Sequence, residues 1–230
     1  MDRPFVYINV AATADGKIDT FERRGAAISS QRDKERVDQL RAEADAIMVG
    51  GHTLHDEDPK LTIKSESLRA ERLARGLSVN PAKVGVSSHL HLKPDSNFLN
   101  AGNAHIFLFT TSQTDEAQLS GLRSCGAEVF IHDGKRVDLA KMMFILKEIG
   151  INRLMVEGGA ALNFELVRLG LVDELTIYIA PLILGGESAP TLAAGSGLMR
   201  SDAIPLKLVE SRAWDDGGVL LRYQFEKRSK

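Results

Sequence analysis

The chain has 230 residues, 43% of them hydrophobic and 26% charged, a length that favours one large domain or a compact two-lobed unit and a composition that excludes disorder, collagen and low complexity. Lys plus Arg at 29 against Asp plus Glu at 31 leaves a formal charge of −2, too balanced for the basic footprint of a dedicated nucleic-acid binder. Cys125 is the only cysteine, which excludes an intramolecular disulfide, a Cys-x-x-Cys redox pair and a multi-cysteine zinc site, and fits a reducing, cytoplasmic setting. Neither a signal-peptide pattern nor an apolar run long enough for a membrane span is visible, so a soluble protein with no membrane partner is expected.

Phe5 to Ala12, rich in Val, Ile, Tyr and Ala around the polar Asn9, reads as an interior strand. Asp15-Gly16-Lys17 supplies the turn that ends it, and the polar stretch to Ala27 reads as a site-building loop rather than a linker. Ser30 followed by Asp33 resembles a capping box, after which Val37, Leu40 and Ala44 share one face of a helix of about four turns. At about 100° per residue, Arg41 lies about 40° from Val37, at the edge of the apolar stripe, and is a half-buried cation that needs a partner. Ala46 to Val49 is a short apolar strand running into Gly50-Gly51-His52-Thr53 and the acidic stretch Asp56-Glu57-Asp58-Pro59, which predicts strand, glycine turn and polar loop. The charged segment from Lys64 to Pro81 predicts a surface helix with a loop and carries no functional assignment.

Strands are expected at Lys83 to Val86, His105 to Phe109, Glu128 to Ile131 and Arg153 to Val156, and helices at Asp115 to Leu122 and Leu139 to Ile149. The last of those strands meets Glu157-Gly158-Gly159-Ala160-Ala161 and a helix carrying Leu162, Leu166 and Leu169 that stops at Gly170. From Asp173 the pattern turns to strands. Leu175, Ile177 and Ile179 alternate, Pro181 and Gly185-Gly186 break the run, Leu206 to Val209 and Val219 to Phe225 close the chain, and Asp216-Gly217-Gly218 predicts a terminal hairpin. Strands and helices alternate before antiparallel strands finish, so the expected fold class is α/β: a mixed, mostly parallel sheet flanked by helices, with a C-terminal antiparallel hairpin.

Glycine pairs directly after short apolar strands let backbone N–H groups approach a phosphate, and the helix that follows adds a favourable dipole. Two such junctions point to a nucleotide, while a tight turn or close helix packing explains either pair equally well taken alone. Neither the G-x-G-x-x-G fingerprint nor a Walker lysine is present. His52 and His55 near Asp56 and Asp58 superficially resemble a metal cluster. Without a further His or Cys at ligand spacing a solvated loop is the better reading, and no metal is expected. Ser29, Ser30, Ser87 and Ser88 lack a G-x-S-x-G setting, which leaves nucleophilic catalysis without support.

Asn9-Val10-Ala11 leading to Asp15-Gly16-Lys17, then Ile28-Ser29, Leu40-Arg41, Asp45-Ala46-Ile47-Met48-Val49-Gly50, Thr53 with Asp58-Pro59-Lys60-Leu61-Thr62, and Val156-Glu157-Gly158-Gly159 occur in this order. In that series, from about Phe5 to Phe225, the chain resembles the reductase family of riboflavin biosynthesis: the reductase half of the bacterial bifunctional deaminase-reductase and its standalone archaeal and fungal relatives. The resemblance implies a dihydrofolate-reductase-like three-layer fold, usually a homodimer, in which NADPH reduces a ribosylaminopyrimidine 5′-phosphate to its ribitylamino product by hydride transfer to the sugar's anomeric carbon through the opened imine. The zinc deaminase half, with its H-x-E and P-C-x-x-C signature, has no counterpart, so residues 1–230 are expected to form a single reductase domain that does not deaminate.

Carried over by position, the resemblance implies cofactor contacts at Ala11, Ala27, Thr53, Glu57, Ser87, Ser88, Gly158, Gly159 and Ala160. It implies substrate-lining roles for Ser29, Arg41, Leu61 and Lys64, with Arg41 and Lys64 meeting the 5′-phosphate. Asn9 and Glu157 are the implied catalytic residues, Glu157 hydrogen-bonding the sugar or assisting proton transfer. Asn9 stands where the bifunctional enzymes carry lysine, which looks like the standalone branch. Glu57 replaces the usual aspartate, Lys64 the usual arginine, and His89 follows Ser87-Ser88 where a fixed base is common, so selection of NADPH through its 2′-phosphate would lean on serine hydroxyls and backbone donors. Structural roles compete at several positions: Arg41 pairing along its helix, Asn9 satisfying backbone groups between strands, Glu157 as a helix-start carboxylate, and Lys17 as an exposed turn lysine outside the site. The alternatives in function are a reductase of the same scaffold acting on a different pterin or pyrimidine, and a non-catalytic nucleotide-binding protein.

Overall fold

The computed structural model describes residues 2–226. Its strands are β1 (Phe5–Thr13), β2 (Ala46–Gly50), β3 (Ala82–Val86), β4 (Ile106–Thr111), β5 (Glu128–His132), β6 (Arg153–Val156), β7 (Glu174–Ala180), β8 (Leu206–Ala213) and β9 (Val219–Phe225), and its helices α1 (Gln31–Glu43), α2 (Glu66–Ala74), α3 (Asn97–Asn100), α4 (Glu116–Ser124), α5 (Leu139–Glu148) and α6 (Ala160–Arg168). The nine strands form one mixed sheet in the order β5-β4-β3-β2-β6-β1-β7-β9-β8. The pairs β2–β3, β3–β4, β4–β5 and β1–β7 are parallel, whereas β9 is antiparallel to both β7 and β8. The expected α/β class, with its antiparallel C-terminal hairpin, is the one observed.

By compactness the chain divides into one unit of Met1–Pro4 and Arg36–Met155 and a second of Phe5–Glu35 and Val156–Lys230. In the first, every residue of β2, β3 and β4 is buried. That is why β2 reads as a continuous apolar run instead of an alternating one. Helix starts follow the sequence: Asp115 accepts from Gln118 N at the head of α4, and Asp138 from Lys141 N at the head of α5. The surface helix expected between Lys64 and Pro81 is present as α2, with Ser65 as its N-cap. One of its charges is not on the surface. Arg72 is 2% exposed and donates to the carbonyls of Ala42, Ala44 and Ser78, joining α2 to the orphan carbonyls at the end of α1.

In the second unit Ser30 caps α1, its hydroxyl accepting from Asp33 N at 3.2 Å. Ile28, Tyr178, Ala180, Trp214 and Leu220 form one core cluster there, with Ala11 and Ala26 packed against it. Lys17 departs from expectation. Instead of waving in water, its Nζ donates to Ala189 O at 3.1 Å, while Thr191 pairs with it as an isolated bridge, so the first turn and the segment after β7 are stitched together. β8 is longer than the expected Leu206 to Val209, running to Ala213 with a bulge between Leu208 and Glu210.

Candidate functional site

The first unit carries Arg41, Thr53, Glu57, Leu61, Lys64, Ser87 and Ser88, and the second carries Asn9, Ala11, Ala27, Ser29, Glu157, Gly158, Gly159 and Ala160. Each group is coherent by itself.

In the first unit β2 turns directly into a helical segment with a π-helical turn at Thr53–Glu57, where a polar loop was expected. Leu54 is fully buried and Thr53 nearly so, and a backbone drawn into the interior must pair its own polar groups, which a helical turn does and an open loop does not. Thr53 Oγ1 then donates to Glu57 Oε1 at 2.9 Å, so these two candidates support one another. Gly51 lies against the end of β3: a Cβ placed on it would stand 2.9 Å from Ser87 Oγ. Ser87 donates its hydroxyl to His89 O at 2.7 Å. With its one proton committed, Ser87 offers only lone pairs to a ligand, and the serine donor at this strand end reduces to Ser88.

Of the four histidines here His52, His89 and His91 are exposed, as a solvated loop requires, and only His55 is half-buried. The His55 ring lies 3.7 Å from that of His91, and His91 is 5.9 Å from His89, centroid to centroid. His52 Nδ1 is 2.8 Å from Asp56 Oδ2. Burial, and then the repulsion of His91, push the pKa of His55 down to about 4, with Asp56 opposing. Its Nε2 is buried without a hydrogen-bond partner. Among the described residues no group of three or more His, Cys, Asp or Glu side chains could hold a metal ion.

The segment bearing Leu61 and Lys64 is positioned from α1. Asp38, 7% exposed, accepts from Lys64 N and Ser65 N, and Arg41 Nη1 donates to Thr62 O at 2.9 Å. Leu61 sits at φ 48° and is buried, a strained backbone that these staples hold in place. Arg41 thereby gains the partner its helical position demanded, and three candidates meet on one short stretch. Lys64 itself is exposed. Sequence reasoning missed Asp38, although its position three residues before Arg41 on the same helix face was a usable signal.

Two further charges escaped notice. Asp58 accepts from Asn97 N and Phe98 N at the head of α3, and Lys83, wholly buried, donates to Phe98 O at 2.8 Å and Ala101 O at 2.6 Å at its tail. An anion at the start and a cation at the end complement the dipole of a helix too short to stand alone. Burial draws the pKa of Lys83 down to about 8, with Asp58 partly compensating.

In the second unit Asn9 is 7% exposed in the middle of β1, opposite Thr176 of β7, with Ala11 two residues on opposite Tyr178. Period-two alternation puts Asn9 and Ala11 on one face of the strand. The loop that leads to Ala27 is organised by buried Asp19, which accepts from Thr20 N, Gly25 N and Ala26 N. Ser29 Oγ donates to Asp33 Oδ2 at 2.6 Å. After β6, Gly158 and Gly159 take φ 144° and 96°, conformations that L side chains rarely adopt. α6 then begins at Ala160 with no side-chain cap. Asn163, fully buried, ties α6 to the Leu192 carbonyl at 2.9 Å.

The model of the RibD C-terminal domain matches residues 4–220. The chain belongs to the RibD C-terminal domain family. Similar curated relatives are 2,5-diamino-6-ribosylamino-4(3H)-pyrimidinone 5′-phosphate reductases: that of Archaeoglobus fulgidus is 38% identical over 86% of this chain and 90% of its own length, and that of Methanothermobacter thermautotrophicus 39% identical over 91% and 93%. Among solved structures, a pyrimidine reductase-like protein of Corynebacterium diphtheriae superposes with a TM-score of 0.80 at 22% identity, covering 97% of this chain and 92% of that one. Dihydrofolate reductase of Enterococcus faecalis superposes with a TM-score of 0.51 at 11% identity, covering 97% of each chain. These superpositions establish for this RibD C-terminal domain the dihydrofolate-reductase-like fold expected above. No helix among the described residues is long and apolar enough to cross a membrane.

Proposed function

We propose that this chain is a cytoplasmic, NADPH-dependent reductase, a single reductase domain over residues 1–230, that converts a ribosylaminopyrimidine 5′-phosphate to the ribitylaminopyrimidine 5′-phosphate in riboflavin biosynthesis. The observation that carries this reading is the near end-to-end similarity, at 38% and 39% identity, to two reductases named for that substrate.

The residues present fit a phosphate-rich dinucleotide. The Gly158-Gly159 backbone at positive φ leads into α6, whose first turn lacks a side-chain cap, and such a helix start favours an anion. Gly158, Gly159 and Ala160 would hold it in the second unit with Ala11 and Ala27, and Thr53, Glu57, Ser87 and Ser88 would do so in the first. Bound nicotinamide supplies the hydride. The protein's own part is orientation and charge: Arg41 and Lys64 meet the 5′-phosphate, Leu61 and Ser29 line the substrate, and Asn9 and Glu157 act at the reacting sugar, Glu157 hydrogen-bonding it or assisting proton transfer.

Loss of NADPH absorbance on adding the diaminated ribosylaminopyrimidine phosphate, its deaminated counterpart, or each with NADH, tests this. Turnover with one pyrimidine and NADPH is the expected result. NADPH binding with no turnover of either would return the chain to a reductase of other specificity or to a nucleotide-binding protein.

A homodimer belongs to the same reading. β8 ends the sheet, and Leu206, Leu208 and Val209 on it, with Met199 shortly before it in sequence, are exposed, Leu208 to 50%. An unpaired apolar edge strand is a liability in a monomer, and a second copy laid against it by a two-fold axis covers it with like residues. Leu208→Asp is expected to shift the species in light scattering from dimer to monomer. A wild-type monomer at micromolar concentration would remove the dimer.

A further inference from the structure

Ser29 is the one substrate-lining candidate with a hydroxyl, and that hydroxyl has a short bond within the protein: Oγ donates to Asp33 Oδ2 at 2.6 Å, and Asp33 is 0% exposed. A carboxylate accepts only, and a serine hydroxyl has one proton and two lone pairs. The bond to Asp33 takes the proton, so the half-buried oxygen that remains can only accept. Asp33 is well anchored for this task. It lies in the first turn of α1, where the helix dipole favours an anion, and its backbone N–H is held by the Ser30 hydroxyl at 3.2 Å. Tyr178, whose hydroxyl could otherwise compete, donates instead to Asp216 Oδ2 at 3.1 Å.

We propose that Asp33 is a positioning residue that fixes Ser29 as a hydrogen-bond acceptor, so that Ser29 receives an N–H or hydroxyl donor of the substrate and never its phosphate. This rests on the reading of Ser29 as a substrate-lining residue of a reductase. A phosphate is acceptor-only and would face the lone pairs of Ser29 with no proton between them, whereas the amino groups, ring N–H and ribosyl hydroxyls of a ribosylaminopyrimidine are donors that complete the site. Selectivity follows, because a site built to receive a donor rejects an analogue that presents an acceptor there and leaves both oxygens without a proton.

Asp33→Asn keeps the shape and lets the new amide donate to Ser29, which frees the hydroxyl proton and reverses the polarity offered to the substrate. The expected result is a rise of tenfold or more in the KM of the phosphorylated pyrimidine, with the KM of NADPH and the melting temperature little changed. In a Ser29→Ala background the Asp33→Asn change is expected to add nothing, since the residue acts through that hydroxyl. A change that adds its full effect without Ser29, or one that moves both KM values alike, overturns the proposal. Should Asp33→Asn fail to fold, Ser29→Ala alone decides between the substrate ends: the ratio of KM for phosphorylated and dephosphorylated substrate stays as in the wild type if Ser29 faces a donor, and collapses if it faces the phosphate. Proton NMR of the free protein separates this from the functional reading. A slowly exchanging Ser29 hydroxyl proton, absent in Ser29→Ala, is expected whether or not the pyrimidine is the substrate, and its absence in the wild type overturns the assignment of the proton.

Discussion

The two glycine junctions, Gly50-Gly51 after β2 and Gly158-Gly159 after β6, look alike in sequence and use glycine for different physical reasons. At the second, the requirement is conformational: φ of 144° and 96° belongs to backbone that a side chain strains wherever it points. At the first, the requirement is steric. Gly51 is not among the residues of positive φ, and what bars a side chain there is Ser87, 2.9 Å from where a Cβ would stand. A glycine pair after a buried strand thus marks a place where the chain must be bare, without saying whether torsion or a neighbour demands it.

The largest expected effect is at the torsional junction. Gly159→Ala should cost about 1–3 kcal/mol of stability and weaken NADPH binding by tenfold or more, as the backbone at the head of α6 moves. No second substitution should relieve it, because the strain lies in the residue's own dihedral. Thermal melts and fluorescence titration with NADPH read both parts. A Gly159→Ala variant that melts and binds like the wild type would show that the two junctions do not differ as described.

At the steric junction the effect is smaller and reparable. Gly51→Ala forces the Ser87 side chain aside and breaks its bond to the His89 carbonyl, a loss of about 1 kcal/mol. Removing the obstacle should restore most of it, so the melting temperature of Gly51→Ala/Ser87→Gly is expected to exceed that of Gly51→Ala, as coupling between contacting residues requires. Equal melting temperatures would move the Gly51 requirement from the neighbour to the backbone.

Much of this was legible in the sequence, and the part that was not has a common cause. Continuous apolar runs gave the buried strands, Ser30 gave the start of α1, and the position of Arg41 beside the Val37 stripe announced a half-buried cation, found tied to Thr62 O. The order of motifs, more than any one of them, gave the family. What could not be read was long-range use of charge. Lys83 in an apolar strand, Arg72 on a charged helix and Asp38 on α1 each serve backbone groups that lie 15 to 30 residues away, and no local pattern distinguishes such a side chain from a solvated one. The helical turn after Gly51 was missed for a related reason: its acidic composition suggests solvent, and only the burial of Leu54 and Thr53 turns it inward.

The smallest effect separates the junctions by pH. Residues 157–163 contain no histidine, whereas His52, His55, His89 and His91 surround the first junction. Burial, then His91, hold the pKa of His55 at about 4 against Asp56, with His89 and His52 adding to the repulsion. Its folded value is below the ordinary 6.5, so the unfolded chain takes the proton first. Stability is therefore complete above about pH 6.5 and falls as the pH drops toward about 4, when the folded state accepts the proton as well. Because the ring is only half-buried, screening by solvent leaves about 1 kcal/mol of this linkage. His55→Phe removes the titrating group, keeps the ring against His91, and sacrifices no hydrogen bond at the unpartnered Nε2. Between pH 7 and pH 5 its melting temperature should fall less than that of the wild type, and equal slopes in the two proteins would place the acid sensitivity elsewhere in the chain.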